Sequence, residues 1–390
     1  MVKRVIAILL SITMLTLGFT GCGSSENEIE IDEDVLSVNS FLPTDKYVKK
    51  LGRTEETDKG LWLAYSGSGA EFSFNGAKAT ITLLGDDTIN SEDWNSVPRV
   101  AIYVNDELVV DEMLMEESTS FTVFESETAQ DCVIRIVKLS ETGNSTMVIG
   151  SIEVEAYGAI KPTEDKEHTI EFIGDSITCG YGVDAEDQNS SFSTRTENAS
   201  KSYAYLTAQL LDADYSLVSK SGHGIITGYT SGGTIQSWGV LSDYYESFGS
   251  GSGTVDGVTP DSVKWDFKNN PVDLVVINLG TNDYSYTGSD ADKQNEYKTA
   301  YIEFIKQVRD DNPDAYIICA LGIMGNELYP MVEAAVSKYV TETGDEKVTS
   351  FEFEVQSSSD GYGADWHPSA VTQEKAAQSL SEFIQEWLGW

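Results

Sequence analysis

Hydrophobic and polar positions along the chain follow two rhythms, and the change falls near residue 160. Between residues 44 and 158, apolar side chains recur at every second position in short runs: 60–65, 70–75, 79–84, 100–105, 121–124 and 133–137. Period-two alternation over such lengths predicts strands with one buried face, and no stretch in this half repeats with a helical period. Asn75-Gly76 and Asn105-Asp106 have the composition of tight hairpin turns. The pattern predicts an antiparallel β-sandwich over 44–158, closed by a last strand within 150–158. A polar boundary at 161–167 follows. From residue 166 to 390, apolar strand candidates (169–174, 215–219, 274–280, 315–321, 348–353) alternate with segments of helical spacing (201–211, 292–308, 328–339, 372–388). Such alternation predicts an α/β domain with a parallel sheet of about five strands covered by helices on both faces. Its chemistry is expected beyond the carboxyl ends of the strands. Residues 229–270 interrupt the rhythm as a long Gly/Ser-rich insertion containing Trp238, Tyr244, Tyr245, Phe248 and Trp265. Insertions of this length tend to be functional or disordered, and the aromatics argue against disorder.

The first residues add a different signal. Lys3 and Arg4 precede an apolar run from Val5 to Leu17, which ends in Gly18-Phe19-Thr20-Gly21-Cys22. This reads as a signal peptide over 1–21, too short for a membrane span. Its end resembles a bacterial lipobox, which implies a lipid on Cys22 and a membrane-anchored, exported cell-surface lipoprotein of a bacterium; ordinary secretion as a soluble protein is the alternative. Residues 22–43, rich in Ser, Glu, Asp and Asn, read as a flexible tether. The remaining cysteines, Cys132, Cys179 and Cys319, are odd in number, so at most one disulfide forms among them. Cys132 and Cys319 sit in apolar runs and read as buried thiols. With 25 Lys+Arg against 64 Asp+Glu, the net charge is −39. Such a surface repels phosphate backbones, so nucleic acid is excluded as a partner. No Cys-x-x-Cys pair is present and the chain has 3 His, so no metal site of zinc type is expected.

Candidate chemistry gathers at the predicted strand ends. The first strand of the second half runs into Gly174-Asp175-Ser176, and a serine on a tight turn after a buried strand projects its hydroxyl into the cleft, as a nucleophile must. The second is followed by Ser221-Gly222-His223, where Gly222 can offer a backbone N–H. The third ends in Gly280-Thr281-Asn282-Asp283, and the Asn282 amide can donate to a developing oxyanion. A serine needs a base. His168 lies at the wrong end of the sheet, and His223 sits beside the oxyanion loop. His367, in Ala364-Asp365-Trp366-His367-Pro368 after the last strand, can reach Ser176.

Together these blocks resemble the SGNH, or GDSL-type, hydrolase superfamily, whose sheet is flavodoxin-like. With a β-sandwich in front, the chain resembles carbohydrate esterase family 2, which pairs a jelly-roll domain with this hydrolase domain and removes acetyl groups from sugars. The resemblance implies Ser176 as nucleophile, His367 as base, and the Ser176 N–H, Gly222 N–H and Asn282 side chain as oxyanion hole, with no cofactor. The superfamily's aspartate three residues before the histidine is here Ala364, and Asp365 is two before. A Ser-His dyad with a main-chain carbonyl orienting the imidazole is therefore expected, with Asp365 as orienting acid the alternative. Trp238, Trp265, Tyr284 and Trp366 are candidate platforms for sugar rings. Competing readings are a lipase-like esterase or thioesterase, a glycan-binding lipoprotein with a degenerate hydrolase domain, and a magnesium site at Asp175, Asp283 and Asp365.

Overall fold

The computed structural model describes residues 32–90, 95–251 and 253–390. The expected signal peptide (1–21) and Cys22 lie outside the described residues. The first half is antiparallel: β1 (Ser37–Phe41), β2 (Lys49–Leu51), β3 (Thr54–Thr57), β4 (Gly60–Leu63), β5 (Gly69–Gly85), β6 (Arg99–Val104), β7 (Glu107–Met113), β8 (Ser118–Lys138) and β9 (Met147–Pro162). They pair in the order β3-β4-β9-β5-β8-β6-β7, with β1 added to β9 and β2 to β5.

Some strands are much longer than the sequence pattern implies. Runs 70–75 and 79–84 are both within β5, and runs 121–124 and 133–137 are both within β8. Asn75-Gly76, expected as a hairpin turn, lies mid-strand at a bulge where the β5–β8 register shifts between Gly76 and Lys78. One extra residue reverses which side chains face inward. Ala70, Phe72 and Phe74 are buried before the bulge, and Ala79, Ile81 and Leu83 after it, all in one core. Gly76 fits because a Cβ there would lie 2.3 Å from the Glu155 carbonyl oxygen. Asn105 and Asp106 do turn the chain between β6 and β7, with φ of 49° and 66°, as a hairpin turn with two left-handed positions requires. The sandwich also begins earlier than 44. β1, inside the expected tether, pairs with β9 from Ser37↔Ala156 to Phe41↔Ile152. Its side chains are mostly polar and Phe41 alone in it is buried, so composition carries little strand signal there.

The second half is the parallel sheet: β10 (Thr169–Gly174), β11 (Asp214–Ser219), β12 (Leu274–Asn278), β13 (Tyr316–Ile323) and β14 (Val348–Val355), ordered β11-β10-β12-β13-β14. Its helices are α1 (Ser176–Cys179), α2 (Tyr203–Leu210), α3 (Thr281–Thr287), α4 (Ala291–Asp311), α5 (Tyr329–Thr343) and α6 (Ala370–Leu388). β12 is apolar along most of its length because both its faces are covered. Leu274 and Val276 join Ala204, Ala208, Leu380 and Ile384 of α2 and α6, whereas Val275 and Ile277 meet Tyr301, Ile305 and Val332 of α4 and α5. This leaves the loops after β10, β11 and β12 converging at one edge.

The two halves share cores. Leu51, Ala101, Val137 and Leu139 of the sandwich side belong to the cluster under α2 and α6. Trp62 packs on Phe248 of the 229–270 insertion with ring centroids 4.9 Å apart. Arg53, 1% exposed, pairs with both carboxylate oxygens of Glu171 on β10 at 3.1 and 3.0 Å and donates to the Ser247 carbonyl oxygen at 2.8 Å. The insertion thus contributes packing between the halves. Cys132, Cys179 and Cys319 are all free and buried.

Candidate active site

The carboxyl end of β10 delivers Ser176 as the first residue of α1. Asp175 caps that short helix, its Oδ1 accepting the Ile177 N–H at 3.0 Å, and Gly180 ends it in the left-handed conformation, φ 74°. Ser176 is 7% exposed, at the floor of the edge where the loops meet. His367 Nε2 lies 2.8 Å from Ser176 Oγ. The other ring nitrogen, Nδ1, faces the Ala364 carbonyl oxygen at 3.1 Å. A hydrogen bond donated from Nδ1 leaves Nε2 as the acceptor for the serine proton. Asp365 and Trp366 both have positive φ, 50° and 64°, a left-handed pair that curls the chain so that one residue's carbonyl meets a ring three positions on. Such backbone is costly and is characteristic of functional sites. Partial burial pulls the His367 pKa down to about 4, against which the bond to Ala364 pushes it up.

The Asp365 carboxylate faces Tyr181 and makes no hydrogen bond to His367 among the described residues. Its Oδ2 accepts from the Tyr181 hydroxyl at 2.8 Å, and the side chain is exposed. Ala364, where the superfamily has its acid, is fully buried, and a Cβ on Gly182 would come within 2.4 Å of the Ala364 methyl. Position 182 must therefore be glycine for Ala364 to sit there, and the Ala364 carbonyl faces the imidazole. Tyr181 was not anticipated. Its ring stacks on His367 at 4.0 Å and 26° and on Phe192 at 4.4 Å and 25°; the flanking Gly180 and Gly182 are the sequence signal that could have marked it.

Across from the dyad lie the loops after β11 and β12. Gly222, φ 76°, and Ser176 have backbone N–H groups without an acceptor among the described residues. Asn282 Nδ2 donates to the His223 carbonyl oxygen at 2.8 Å and to Asp175 Oδ2 at 3.2 Å. Burial, ahead of all other causes, pushes the Asp175 carboxyl up to about 7. Asp283, buried, holds the loop after Gly222 by accepting the N–H groups of Ile225, Ile226 and Thr227 at 3.0, 2.8 and 3.3 Å. His223 is fully buried, with Nδ1 at 3.0 Å from the Ser221 carbonyl oxygen. Burial and the nearby Lys220 lower its pKa to about 4, so it stays neutral at ordinary pH.

The aromatic candidates divide. Trp238 is 54% exposed, and its ring lies 3.7 Å from where a Cβ of Gly222 would stand. Trp366, 55% exposed, packs on Tyr362 at 5.1 Å. Tyr284 sits on α3 beside Gly280 and Leu321 in a small cavity of about 120 Å³. Trp265 is a correction: it lies over the Arg53 guanidinium at 5.3 Å, by the amino end of the sheet, and packs between the halves. The competing reading of a magnesium trio gains no support from the geometry. Asp175 and Asp283 anchor backbone, Asp365 faces Tyr181, and they form no metal-ligand group among the described residues.

Residues 170–380, more than half of the chain, match the family model for GDSL-like lipase/acylhydrolase. The chain belongs to that family. Residues 50–163 match the N-terminal domain of carbohydrate esterase 2, so this GDSL-type hydrolase carries the sandwich of that esterase family. It is 34% identical over 351 residues to cellulase/esterase CelE of Acetivibrio thermocellus, covering 87% of this chain and 39% of that protein. It is 24% identical over 359 residues to an acetylxylan esterase / glucomannan deacetylase of Cellvibrio japonicus, covering 91% and 92%. Among solved structures, a family two carbohydrate esterase from Clostridium thermocellum in complex with cellohexaose is 29% identical with TM-score 0.73, over 88% of this chain and 99% of that one. An acetyl xylan esterase of Butyrivibrio proteoclasticus shares the fold at TM-score 0.82 and 24% identity, over 91% and 99%.

Proposed function

We propose that the protein is a carbohydrate acetyl esterase working by a Ser-His dyad. The observation that carries the reading is the 2.8 Å contact of His367 Nε2 with Ser176 Oγ, made beside two acceptor-free backbone N–H groups. His367 takes the Ser176 proton as Oγ attacks the acetyl carbonyl, and the oxyanion forms against the N–H groups of Ser176 and Gly222. Asn282 Nδ2 completes the hole by sharing its longer contact, the 3.2 Å one to Asp175, with the oxyanion. The sugar hydroxyl leaves with the proton held by His367. Water then attacks the acetyl-enzyme with His367 again as base, releasing acetate and freeing Ser176. The Ala364 carbonyl fixes the imidazole without adding a charge.

The relatives' names include acetylxylan esterase and glucomannan deacetylase, and an acetylated xylan or glucomannan is the proposed substrate class. Exposed Trp238 and Trp366 beside the dyad suit the apolar faces of sugar rings better than an acyl chain, which needs an enclosed apolar channel. Hydrolysis of 4-nitrophenyl acetate and butyrate by the full-length protein and its Ser176→Ala variant tests the reading. Acetate turnover well above butyrate, lost in the variant while the fold is kept, is expected; butyrate preference would replace it with a lipase-like activity. We also propose export with a lipid on Cys22, from the Lys3-Arg4 start, the apolar run and the Gly21-Cys22 end. Cys22→Ala should then release the protein from the membrane fraction into the medium, and an unchanged distribution would refute the anchor.

A further inference from the structure

Behind Ser176, the sandwich sends one loop into the hydrolase half. The connection from β8 to β9, residues 139–146, has Ser140, Glu141, Thr142, Ser145 and Thr146 all buried. The Leu139 carbonyl oxygen accepts the Ala199 N–H at 3.0 Å, and the Ser250 N–H donates to Thr142 Oγ1 at 3.3 Å. Lys138 Nζ donates to the Ser140 and Glu141 carbonyl oxygens at 2.6 and 3.1 Å, fixing the loop where it leaves the strand. From this frame Glu141 reaches across the boundary. Its Oε2 accepts the Ser221 N–H at 2.7 Å and lies 3.7 Å from Cys179 Sγ on α1.

Ser221 precedes Gly222, and its own carbonyl faces His223 Nδ1 at 3.0 Å. A trans peptide points its C=O and N–H in opposite directions. Holding Ser221 at its N–H by Glu141 and at its C=O by His223 therefore fixes the direction of the Gly222 N–H. We infer that Glu141 is a positioning residue of the esterase site, a carboxylate lent by the β-sandwich to aim the Gly222 N–H at the oxyanion. The inference rests on the oxyanion role given to Gly222 above. A charged acceptor suits the task because charge-assisted hydrogen bonds are roughly twice as strong as neutral ones.

The same place brings ligand atoms of Glu141, Cys179 and Glu197 within 4.8 Å of one another, yet a cation is not needed to explain it. The buried Lys138 ammonium already supplies positive charge. Burial and the adjoining Glu141 push the Glu197 carboxyl well up, toward its neutral form.

Two variants of the full-length protein test the inference. Glu141→Met keeps the volume and removes the acceptor, whereas Glu141→Gln keeps a neutral acceptor. The readouts are kcat and KM on 4-nitrophenyl acetate and amide hydrogen exchange at Ser221. One oxyanion donor is worth about 10²–10³ in kcat, so misaiming it should lower kcat roughly 10- to 100-fold in the Met variant with KM almost unchanged. The Gln variant should recover most of that, staying roughly 3-fold below the parent because its acceptor is neutral. Exchange at Ser221, whose N–H loses its acceptor, should quicken in the same order. A folded Met variant with the parent's kcat overturns the inference, since a merely structural role lowers thermal stability and spares kcat. If the Met variant fails to fold, a Gln variant matching the parent in both kcat and exchange does the same. A parent inert toward every acetyl ester sinks the esterase reading itself, a result distinct from either.

Discussion

The histidine of this site is oriented by a neutral carbonyl, and that choice has measurable consequences. Removing the carboxylate of a Ser-His-Asp triad costs about 10⁴ in kcat, because the imidazole loses both its tautomer and its counter-charge. Here Asp365 accepts from Tyr181 instead. Asp365→Asn should therefore lower kcat on 4-nitrophenyl acetate by less than about 10-fold, and a loss of several orders of magnitude in folded protein would return Asp365 to the triad. The pH profile follows from the same geometry. In the proposed mechanism neutral His367 is the base, and partial burial lowers its pKa to about 4. The His367 limb of kcat/KM should thus fall as pH drops through about 4, not through the ordinary 6.5 of the group. Asp175, pushed up to about 7 by burial, touches Asn282 and can add a second limb there. A limb near 7 that vanishes in Asp175→Asn belongs to Asp175, while one near 6.5 that persists in this variant would contradict the His367 assignment.

At the scale of elements, the parallel sheet was easier to read from the sequence than the sandwich. β10, β12 and β13 are largely apolar runs bounded by polar turns, because two covered faces leave little alternation to interpret; the edge strand β14 buries Phe353 between exposed glutamates. Their carboxyl ends carry Ser176, Gly222 and Asn282, so the site's main members lie where the strand pattern pointed. The sandwich hid its length. At Gly76 the inward parity of β5 reverses, and an Asn-Gly pair at a parity break is indistinguishable, by composition, from a hairpin turn. β1 was hidden for the opposite reason: Ser37, Asn39 and Ser40 are polar, and its pairing with β9 is made by backbone. A main-chain carbonyl orienting His367 was expected, but which residue supplies it was not legible. A carbonyl belongs to every residue, so no side chain could announce that Ala364 would orient His367. Trp265 failed because aromatic type alone does not say which end of a sheet a residue lies at.

On the scale of the whole molecule, the two halves do not behave as independent parts. The sandwich contributes Arg53 to a buried pair with Glu171, apolar side chains to the core beneath α2 and α6, and Glu141 to the Ser221 N–H. Leaving one member of a buried ion pair without its partner costs about 3–5 kcal/mol, a large share of the roughly 5–15 kcal/mol that holds a typical domain folded. A fragment of residues 166–390 would strand the Glu171 carboxylate, expose the surfaces that Leu51, Val137 and Leu139 cover, and lose the acceptor for Ser221. That fragment is expected to be insoluble, or to melt without a cooperative transition and to turn over no 4-nitrophenyl acetate. Circular dichroism melting and the ester assay, run beside the intact chain, check this. A fragment that melts cooperatively and keeps kcat/KM within about 10-fold of the parent, a loss below about 1.4 kcal/mol in transition-state binding, would show that the sandwich is an appendage. The buried contacts between the halves argue the reverse: the proposed esterase site is assembled from both.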